Sequence, residues 1–236
     1  MRKAIIGLAL ATSVLATPAM ARDGSMYAGI EGGVAFGKSL GVDYDANGND
    51  EIEDNEQDLI TFDTDTGFDV GAILGYDFGG FRLEGEAAYK QMNINQVESA
   101  AGFDLIPGTP AVDTAVGIDG KVKVKSLMLN ALADLGPDGG TQFYAGGGVG
   151  YGWVDLEGTL ADVPGAFVDD SDGGFAWQLI AGLRFPVSDA VDLGLKYRYF
   201  NVEDLRMFSP GNDRFDTDFR SHSVLASLIY NFGASA

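Results

Sequence analysis

The sequence contains no cysteine and only one histidine, His222. Without cysteine the chain can form no disulfide framework, no zinc–thiolate centre and no thiol nucleophile. Cations are also scarce, since 15 Lys and Arg stand against 35 Asp and Glu, for a formal net charge of −20. Because phosphate binding requires a basic surface, the composition predicts no nucleic-acid partner. Nothing in the sequence predicts a cofactor.

Long apolar runs are missing as well, apart from a short one near the N-terminus. The apolar residues 4–16 follow two cations and precede the small-x-small triplet Ala19-Met20-Ala21. This order predicts a secretory signal peptide, residues 1–21. The run is too short for a membrane helix, which needs about 20 apolar residues. Losing two of the 15 cations leaves the mature chain, residues 22–236, with 13 cations, 35 acids and a formal charge of −22.

Alternation of apolar and polar residues with period two, the strand signal, recurs eight times along the mature chain. Each window is close to the roughly ten residues that a tilted strand needs to cross a bilayer. The windows are Tyr27–Phe36, Phe68–Phe78, Phe81–Lys90, Ser126–Leu135, Gln142–Trp153, Phe175–Phe185, Val191–Phe200 and Ser223–Phe232.

The connections between these windows alternate between short turns and long loops. The short ones, rich in Gly, Pro and Asp, are Gly79-Gly80, Gly136–Gly140 and Pro186–Ala190. The long ones are Lys38–Asp65, Asn93–Lys121, Asp155–Gly173 and Asn201–Asp218, which together hold 25 of the 35 acids. Short turns at one end and long loops at the other are typical of outer-membrane barrels.

The two faces of the windows differ sharply in polarity. One face carries no charged residue and has aromatic side chains at both ends with only Gly, Ala, Val, Leu and Ile between them. Two aromatic girdles around an aliphatic band are what a bilayer selects. A soluble lipocalin-like barrel or a β-sandwich would bury this face and has no reason to exclude aromatics from its centre. The pattern therefore predicts an all-β fold, an eight-stranded antiparallel up-and-down transmembrane β-barrel, as a single domain.

The opposite face is predicted to line the lumen, and it carries twelve charged residues. An eight-stranded barrel has an interior that side chains just fill, and charges held there must pair. The expected lumen charge network is Glu31, Arg82, Glu84, Glu86, Lys90, Arg184, Lys196 and Arg198, with Asp69, Asp77, Asp134 and Asp192 on the same face. We expect Glu84 and Glu86 to find cations among Arg184, Lys196 and Arg198. The hypothesis that follows is a lumen plugged by its own ion pairs.

Four segments resemble OmpA-like outer-membrane β-barrel proteins, a group that includes opacity-type porins and adhesins. They are Arg82–Glu86, Phe175–Gln178, Leu195–Phe200 and the ending Tyr230-Asn231-Phe232. The resemblance covers the mature chain, and it is to the barrel alone, with no peptidoglycan-binding domain expected. It implies an outer-membrane location with both termini in the periplasm. It also implies outer-membrane lipid, lipopolysaccharide and the assembly machinery as partners. A terminal aromatic signal for that machinery is usually the last residue, whereas Gly233–Ala236 follow it here.

The leading functional expectation is a structural, adhesive or surface-binding protein that acts through acidic loops, and the alternative is a narrow porin for small solutes or ions. A lipid-modifying enzyme is the third candidate. An outer-membrane deacylase would carry a His-x-Ser pair on one face of a strand. The residue that shares the face of His222 is Val224, so the sequence predicts no enzyme. It makes no prediction of oligomeric state.

One segment of the first long loop partly matches a calcium-binding loop. Asp45, Asn47, Asn49 and Glu56 fall at positions 1, 3, 5 and 12 of that pattern. Position 6, where glycine makes a sharp turn, is Asp50. The simpler interpretation is a solvated acidic loop. Divalent cations therefore enter only as possible partners of the loops.

Overall fold

The computed structural model of the chain describes residues 24–38, 40–44, 60–99, 116–136, 140–160, 168–208 and 214–232. The predicted signal peptide and the predicted calcium loop lie outside these residues. The described residues form ten strands: β1 (Ser25–Gly37), β2 (Leu40–Tyr44), β3 (Ile60–Thr64), β4 (Thr66–Asp77), β5 (Phe81–Ser99), β6 (Val116–Leu135), β7 (Gln142–Leu160), β8 (Val168–Pro186), β9 (Val191–Phe208) and β10 (Arg214–Phe232). Within the described ranges, no helix combines the length and apolarity needed to cross a bilayer.

The strands form one closed antiparallel ring. Going round it, β1 pairs with β4, each strand from β4 to β9 pairs with the next, and β10 pairs back with β1. Beyond the end of β1, strand β2 takes its place beside β10, and β3 takes the place of β4 beside β5. Strands β1 and β2 therefore act as one interrupted strand of the ring, and so do β3 and β4. The eight-stranded antiparallel barrel predicted from the alternation is confirmed.

The described ends of the chain meet at the end of the barrel that carries the short turns. Met26 lies opposite Phe232 where β1 closes the ring against β10. The β4–β5 turn is closed by a hydrogen bond of 2.9 Å from the N–H of Phe78 to the carbonyl of Phe81. The φ angle of Gly79 in this turn is 96°, a conformation that other residues adopt only with strain. The backbone conformation therefore explains why the predicted turn contains glycine.

The four long loops were predicted too long, because strands continue through much of them. Strand β5 runs to Ser99 and β6 already begins at Val116. Similarly, β7 runs to Leu160, and β9 to Phe208. The predicted loops Lys38–Asp65, Asn93–Lys121, Asp155–Gly173 and Asn201–Asp218 are therefore wrong in extent.

The strand ends beyond the girdle form a wall, here called the extension, whose polarity is inverted. It comprises β2, β3 and residues 92–99, 116–125, 154–160, 168–174, 202–208 and 214–220. In the membrane half the apolar side chains face outward, as Leu129 does at 72% exposure. Among the side chains of the extension that the structure describes, the buried residues are apolar, namely Met92, Ile94, Val122, Val124, Val154, Leu156, Val202, Leu205, Met207 and Phe219. An outer surface in water no longer selects apolar residues, so the extension has a core like that of a soluble barrel.

One seam of the extension is not closed by a backbone ladder. Strands β8 and β9 pair only as far as Ala176 and Val202. Beyond that point the carboxylate of Asp172 accepts the N–H of Arg206 at 2.7 Å, and that of Asp170 accepts the N–H of Phe208 at 2.7 Å. Every other pair of neighbouring strands in the described ring stays paired into the extension. At this seam, the side chains of Asp170 and Asp172 therefore take the place of backbone carbonyl acceptors.

Candidate functional site in the barrel lumen

The middle of the lumen holds six charged side chains, here called the central cluster. They are Glu31 on β1, Asp69 on β4, Glu86 and Lys90 on β5, and Lys196 and Arg198 on β9. Each is at most 5% exposed. Three acids face three bases, so the cluster is balanced in formal charge. Balance of this kind is what makes charges tolerable away from water.

Arg198 and Lys196 tie the central cluster together across the lumen. The Arg198 guanidinium lies 2.8 Å from the Asp69 carboxylate through Nη2 and donates to Glu86 through Nη1. The Lys196 ammonium lies 2.6 Å from Oε2 of Glu31 and 3.6 Å from Oε2 of Glu86. These contacts join β9 to the far wall of the barrel and fill its cross-section with side chains.

Neutral polar groups add hydrogen bonds to two acids of the central cluster. The hydroxyl of Ser223 donates to Asp69 at 2.6 Å, and the amide of Asn130 donates to Glu86 at 3.0 Å. A Cβ added at Gly148 would lie 1.9 Å from Oδ1 of Asn130. This glycine therefore provides the space that the amide occupies.

A second group, the mouth cluster, lies at the short-turn end of the lumen. Its members are Asp77, Arg82, Glu84, Asp134, Arg184 and Asp192. Arg82 forms a bidentate pair with Asp134, with N–O distances of 2.8 and 2.9 Å. Arg184 donates to Asp192 at 2.6 Å. The bidentate geometry is the strongest form that an arginine–carboxylate pair takes.

The structure places all eight residues of the predicted lumen network in the lumen, but one expected pairing is wrong. Glu86 does meet Lys196 and Arg198. Glu84 instead accepts a hydrogen bond of 2.7 Å from the hydroxyl of Tyr27 and lies 3.6 Å from Arg82 on its own strand. Pairing across a barrel depends on its shear, which alternation along one strand does not reveal.

Sequence reasoning missed the neutral members of the lumen. Tyr27, Asn130 and Gln178 are all at most 2% exposed, and each hydrogen-bonds to the charged clusters or to one another. Their signal was available, because all three lie at inward positions of the alternating windows.

The sequence offered two places for enzyme or metal chemistry, His222 and the calcium-like segment of the first long loop. His222 lies on the outer face, where its Nδ1 is 2.6 Å from the hydroxyl of Tyr197. No described group of three or more His, Asp or Glu side chains is placed to hold a metal ion. The candidate calcium residues Asp45, Asn47, Asn49 and Glu56 lie outside the described residues. What the lumen does provide is a filled and paired cross-section.

The outer surface repeats the girdles expected from the sequence. Aromatic side chains such as Phe36, Phe68 and Trp153 are 42–45% exposed at the level where the extension begins. A closed barrel with this surface matches a known family: the model of the outer membrane protein β-barrel domain covers residues 7–232. The chain belongs to that family. Its location is therefore the outer membrane.

Several solved structures are similar to this chain. The chain is similar to neisserial surface protein A, with a TM-score of 0.50 and 16% identity over 88% of this chain and 97% of that one. It is also similar to Ail, the attachment invasion locus protein of Yersinia pestis, with a TM-score of 0.36 and 15% identity over 85% and 98% of the two chains. The N-terminal barrel domain of OprF from Pseudomonas aeruginosa gives 0.34 and 13% over 89% and 100%. No curated protein matches the sequence significantly.

Proposed function

We propose that this outer-membrane barrel is a non-conducting, non-enzymatic surface protein whose extension and acidic loops make structural or adhesive contacts. The observation that carries the proposal is the filling of the lumen. Paired charges occupy the membrane half, and buried apolar side chains occupy the extension above it. Because the lumen is filled, the outer rim is the part of the barrel that remains available for function.

The orientation follows from the asymmetry of the connections. Outer-membrane barrels carry short turns on the periplasmic side and longer connections outside. Both described ends of the chain lie at the short-turn end, so the proposal places both termini in the periplasm. The extension then reaches beyond the bilayer.

The rim at the long-loop end of the barrel is strongly acidic. The four predicted loop regions hold 25 of the 35 acids of the chain. An acidic rim repels polyanions and gathers cations, more strongly at low salt. The proposed partners are therefore basic surfaces, with divalent cations as a diffuse accompaniment.

The other two candidate functions find less support. A steady pore would require an open cross-section, and Arg198 and Lys196 bridge it at mid-barrel. A lipid-modifying enzyme would require a base with a nucleophile, and the outward neighbour of His222 on its strand is Val224, which is apolar.

Adhesion of cells that display the protein tests the proposal. Replacing residues 100–115 and 161–167 with Gly-Ser linkers of equal length should abolish attachment while unheated samples still migrate as folded barrels. A matched control replaces residues 137–139 in the opposite turn and should leave attachment intact. Attachment unchanged by the rim replacements would contradict a surface-binding role.

A further inference from the structure

The β8–β9 seam leaves two strand edges facing each other without a ladder. Within residues 168–208, all of which the structure describes, the pairing of β8 with β9 ends at Ala176 and Val202. Strand β8 nevertheless begins at Val168, and β9 continues to Phe208. In the extension these two stretches pair only with their other neighbours, β7 and β10. An unpaired strand edge is a template on which another chain can add.

The two hydrogen bonds that bridge the seam can be exchanged for backbone bonds. Oδ2 of Asp172 accepts the N–H of Arg206, and Oδ2 of Asp170 accepts the N–H of Phe208, both at 2.7 Å. Each carboxylate thus holds the position that a carbonyl of a neighbouring strand would take. Both aspartates are half-buried, so an incoming carbonyl can replace them without leaving a fully buried charge.

The backbone of β9 changes course where the seam begins. Asp204 has φ of 57°, and the register of β9 with β10 shifts between Thr217 and Phe219. Such a bulge bends a strand and often ends its pairing. Widening the seam above this point breaks the two bonds to Asp170 and Asp172, and it leaves the ladder below intact.

The charge at the seam favours a basic partner. The two edges, residues 168–174 and 203–208, contain five acids and one base. The base, Arg206, lies 3.8 Å from Asp216 on β10. The acids are Asp169, Asp170, Asp172, Glu203 and Asp204. Cationic side chains of a partner at this place would meet an excess of carboxylates, so the charges are complementary.

An extended chain fits these edges better than a folded surface does. Only an extended backbone offers carbonyl and N–H groups at the spacing of a strand, about 3.3 Å per residue. Along residues 168–173 the edge is about 20 Å long, which matches a segment of about six residues. When a peptide adds to a sheet edge, its backbone bonds provide affinity and its side chains provide specificity.

We propose that the seam accepts an extended, basic segment of another protein as an added strand between β8 and β9. The backbone of the segment takes over the N–H groups of Arg206 and Phe208, and its cationic side chains pair with Asp170 and Asp172. The inference rests on the proposed surface role, because that role places the extension outside the cell. It deepens the role by naming the edge and the kind of partner.

Peptide titration tests the added strand. In a Trp153→Phe background the remaining tryptophan is Trp177, whose indole N–H donates to Glu203 at 2.7 Å at the base of the seam. The probe is a peptide of about seven alternating lysines and valines with blocked ends, added at low salt to folded protein in nonionic detergent. The emission of Trp177 should change and saturate. The same peptide with N-methyl groups on alternate residues keeps its charge but loses the donors of one edge, so it should bind at least about tenfold more weakly.

Two double variants locate the binding. Asp170→Asn with Asp172→Asn keeps an oxygen acceptor for each amide but removes two charges, and it should raise the midpoint about fivefold, which corresponds to ~1 kcal/mol. Asp65→Asn with Asp119→Asn removes the same charge from exposed sites away from β8 and β9, and it should leave the midpoint unchanged. Equal effects of the two double variants would overturn the seam as the site. An N-methylated peptide that binds as tightly as its parent would overturn strand addition.

Hydrogen exchange on the wild-type protein gives the same decision without any substitution. The bound peptide should slow exchange at those amides of residues 169–173 that β7 does not hold, and it should leave residues 143–149 in the membrane half unchanged. Binding without added protection at the β8 edge would overturn the proposal. If the peptide fails to bind while cells still attach through the rim, the edge is refuted and the surface role stands.

Discussion

The central cluster predicts a large cost for removing a single charge at Glu86. This side chain is 3% exposed and contacts Lys196, Arg198 and Asn130. Replacing it with glutamine keeps its volume but leaves three buried bases facing two acids. Breaking a buried pair from one side costs about 3–5 kcal/mol. Because glutamine still offers a carbonyl oxygen, we expect Glu86→Gln to lose about 3 kcal/mol of the free energy of unfolding.

The assay is urea unfolding in lipid vesicles, followed by tryptophan emission and by the mobility of unheated samples on gels. The matched control is Glu157→Gln, which breaks an exposed pair with Lys123 whose N–O distance is 2.6 Å. The hydrogen bond from Lys123 lowers the pKa of the Glu157 carboxyl, yet solvent screens this pair, so we expect no measurable change in stability.

A double variant tests the reasoning independently of the size of the loss. Adding Lys196→Met to Glu86→Gln restores the balance at two acids and two bases. The double variant should be less destabilised than the sum of the two single variants, with a coupling energy of about 1–3 kcal/mol. The argument from buried charge is refuted if Glu86→Gln is as stable as Glu157→Gln, or if the two substitutions are simply additive.

Three further changes test the wall itself. Ala72→Arg on the lipid face should cost about 2–4 kcal/mol in vesicle unfolding if the site lies near mid-bilayer, whereas Asn93→Arg, outward on the extension, should cost nothing measurable; equal effects would contradict the face assignment. Asp172→Ala should speed hydrogen exchange at the Arg206 amide, whose N–H the Asp172 carboxylate accepts across the β8–β9 seam. Asp169→Ala, which changes an exposed residue of the same strand, should not. Protection of the Arg206 amide that survives in both variants would show that the carboxylate does not hold the seam. Asp204→Gly should raise stability by about 1 kcal/mol, because Asp204 has φ of 57° and glycine adopts that conformation without strain; lower stability would show that its side chain makes a contact of greater value.

The barrel was predictable from the sequence because lipid and lumen impose opposite polarity on alternate residues. That rule located the eight membrane-spanning windows and placed residues such as Glu31 and Arg198 inside. It failed where the environment of the outer surface changes. In the run from Lys121 to Lys125, valines alternate with lysines as regularly as in any strand, but the lysines face outward. Because the outward face is no longer apolar there, the predicted strand β6 begins ten residues too late, at Ser126 instead of Val116.

Which residues contact one another inside the lumen was less predictable than which residues line it. Which cation meets Glu84 depends on the shear of the ring, and Arg82 at the next inward position of the same strand lies within reach. The seam between β8 and β9 left no periodic signal either. Asp170 and Asp172 look like ordinary loop acids in the sequence, and only the three-dimensional arrangement shows that they replace a ladder.

The closed lumen is the central claim, and conductance across a planar bilayer tests it most directly. Wild-type protein that is folded by the gel-mobility criterion should insert and show no steady ohmic current in KCl. Glu86→Ala, which withdraws the carboxylate from Arg198 and Lys196, should show intermittent openings, and Glu157→Ala should stay silent like the wild type. A stable open channel in the wild-type protein, with a conductance unchanged by Glu86→Ala, would contradict the closed lumen and establish the narrow porin in its place.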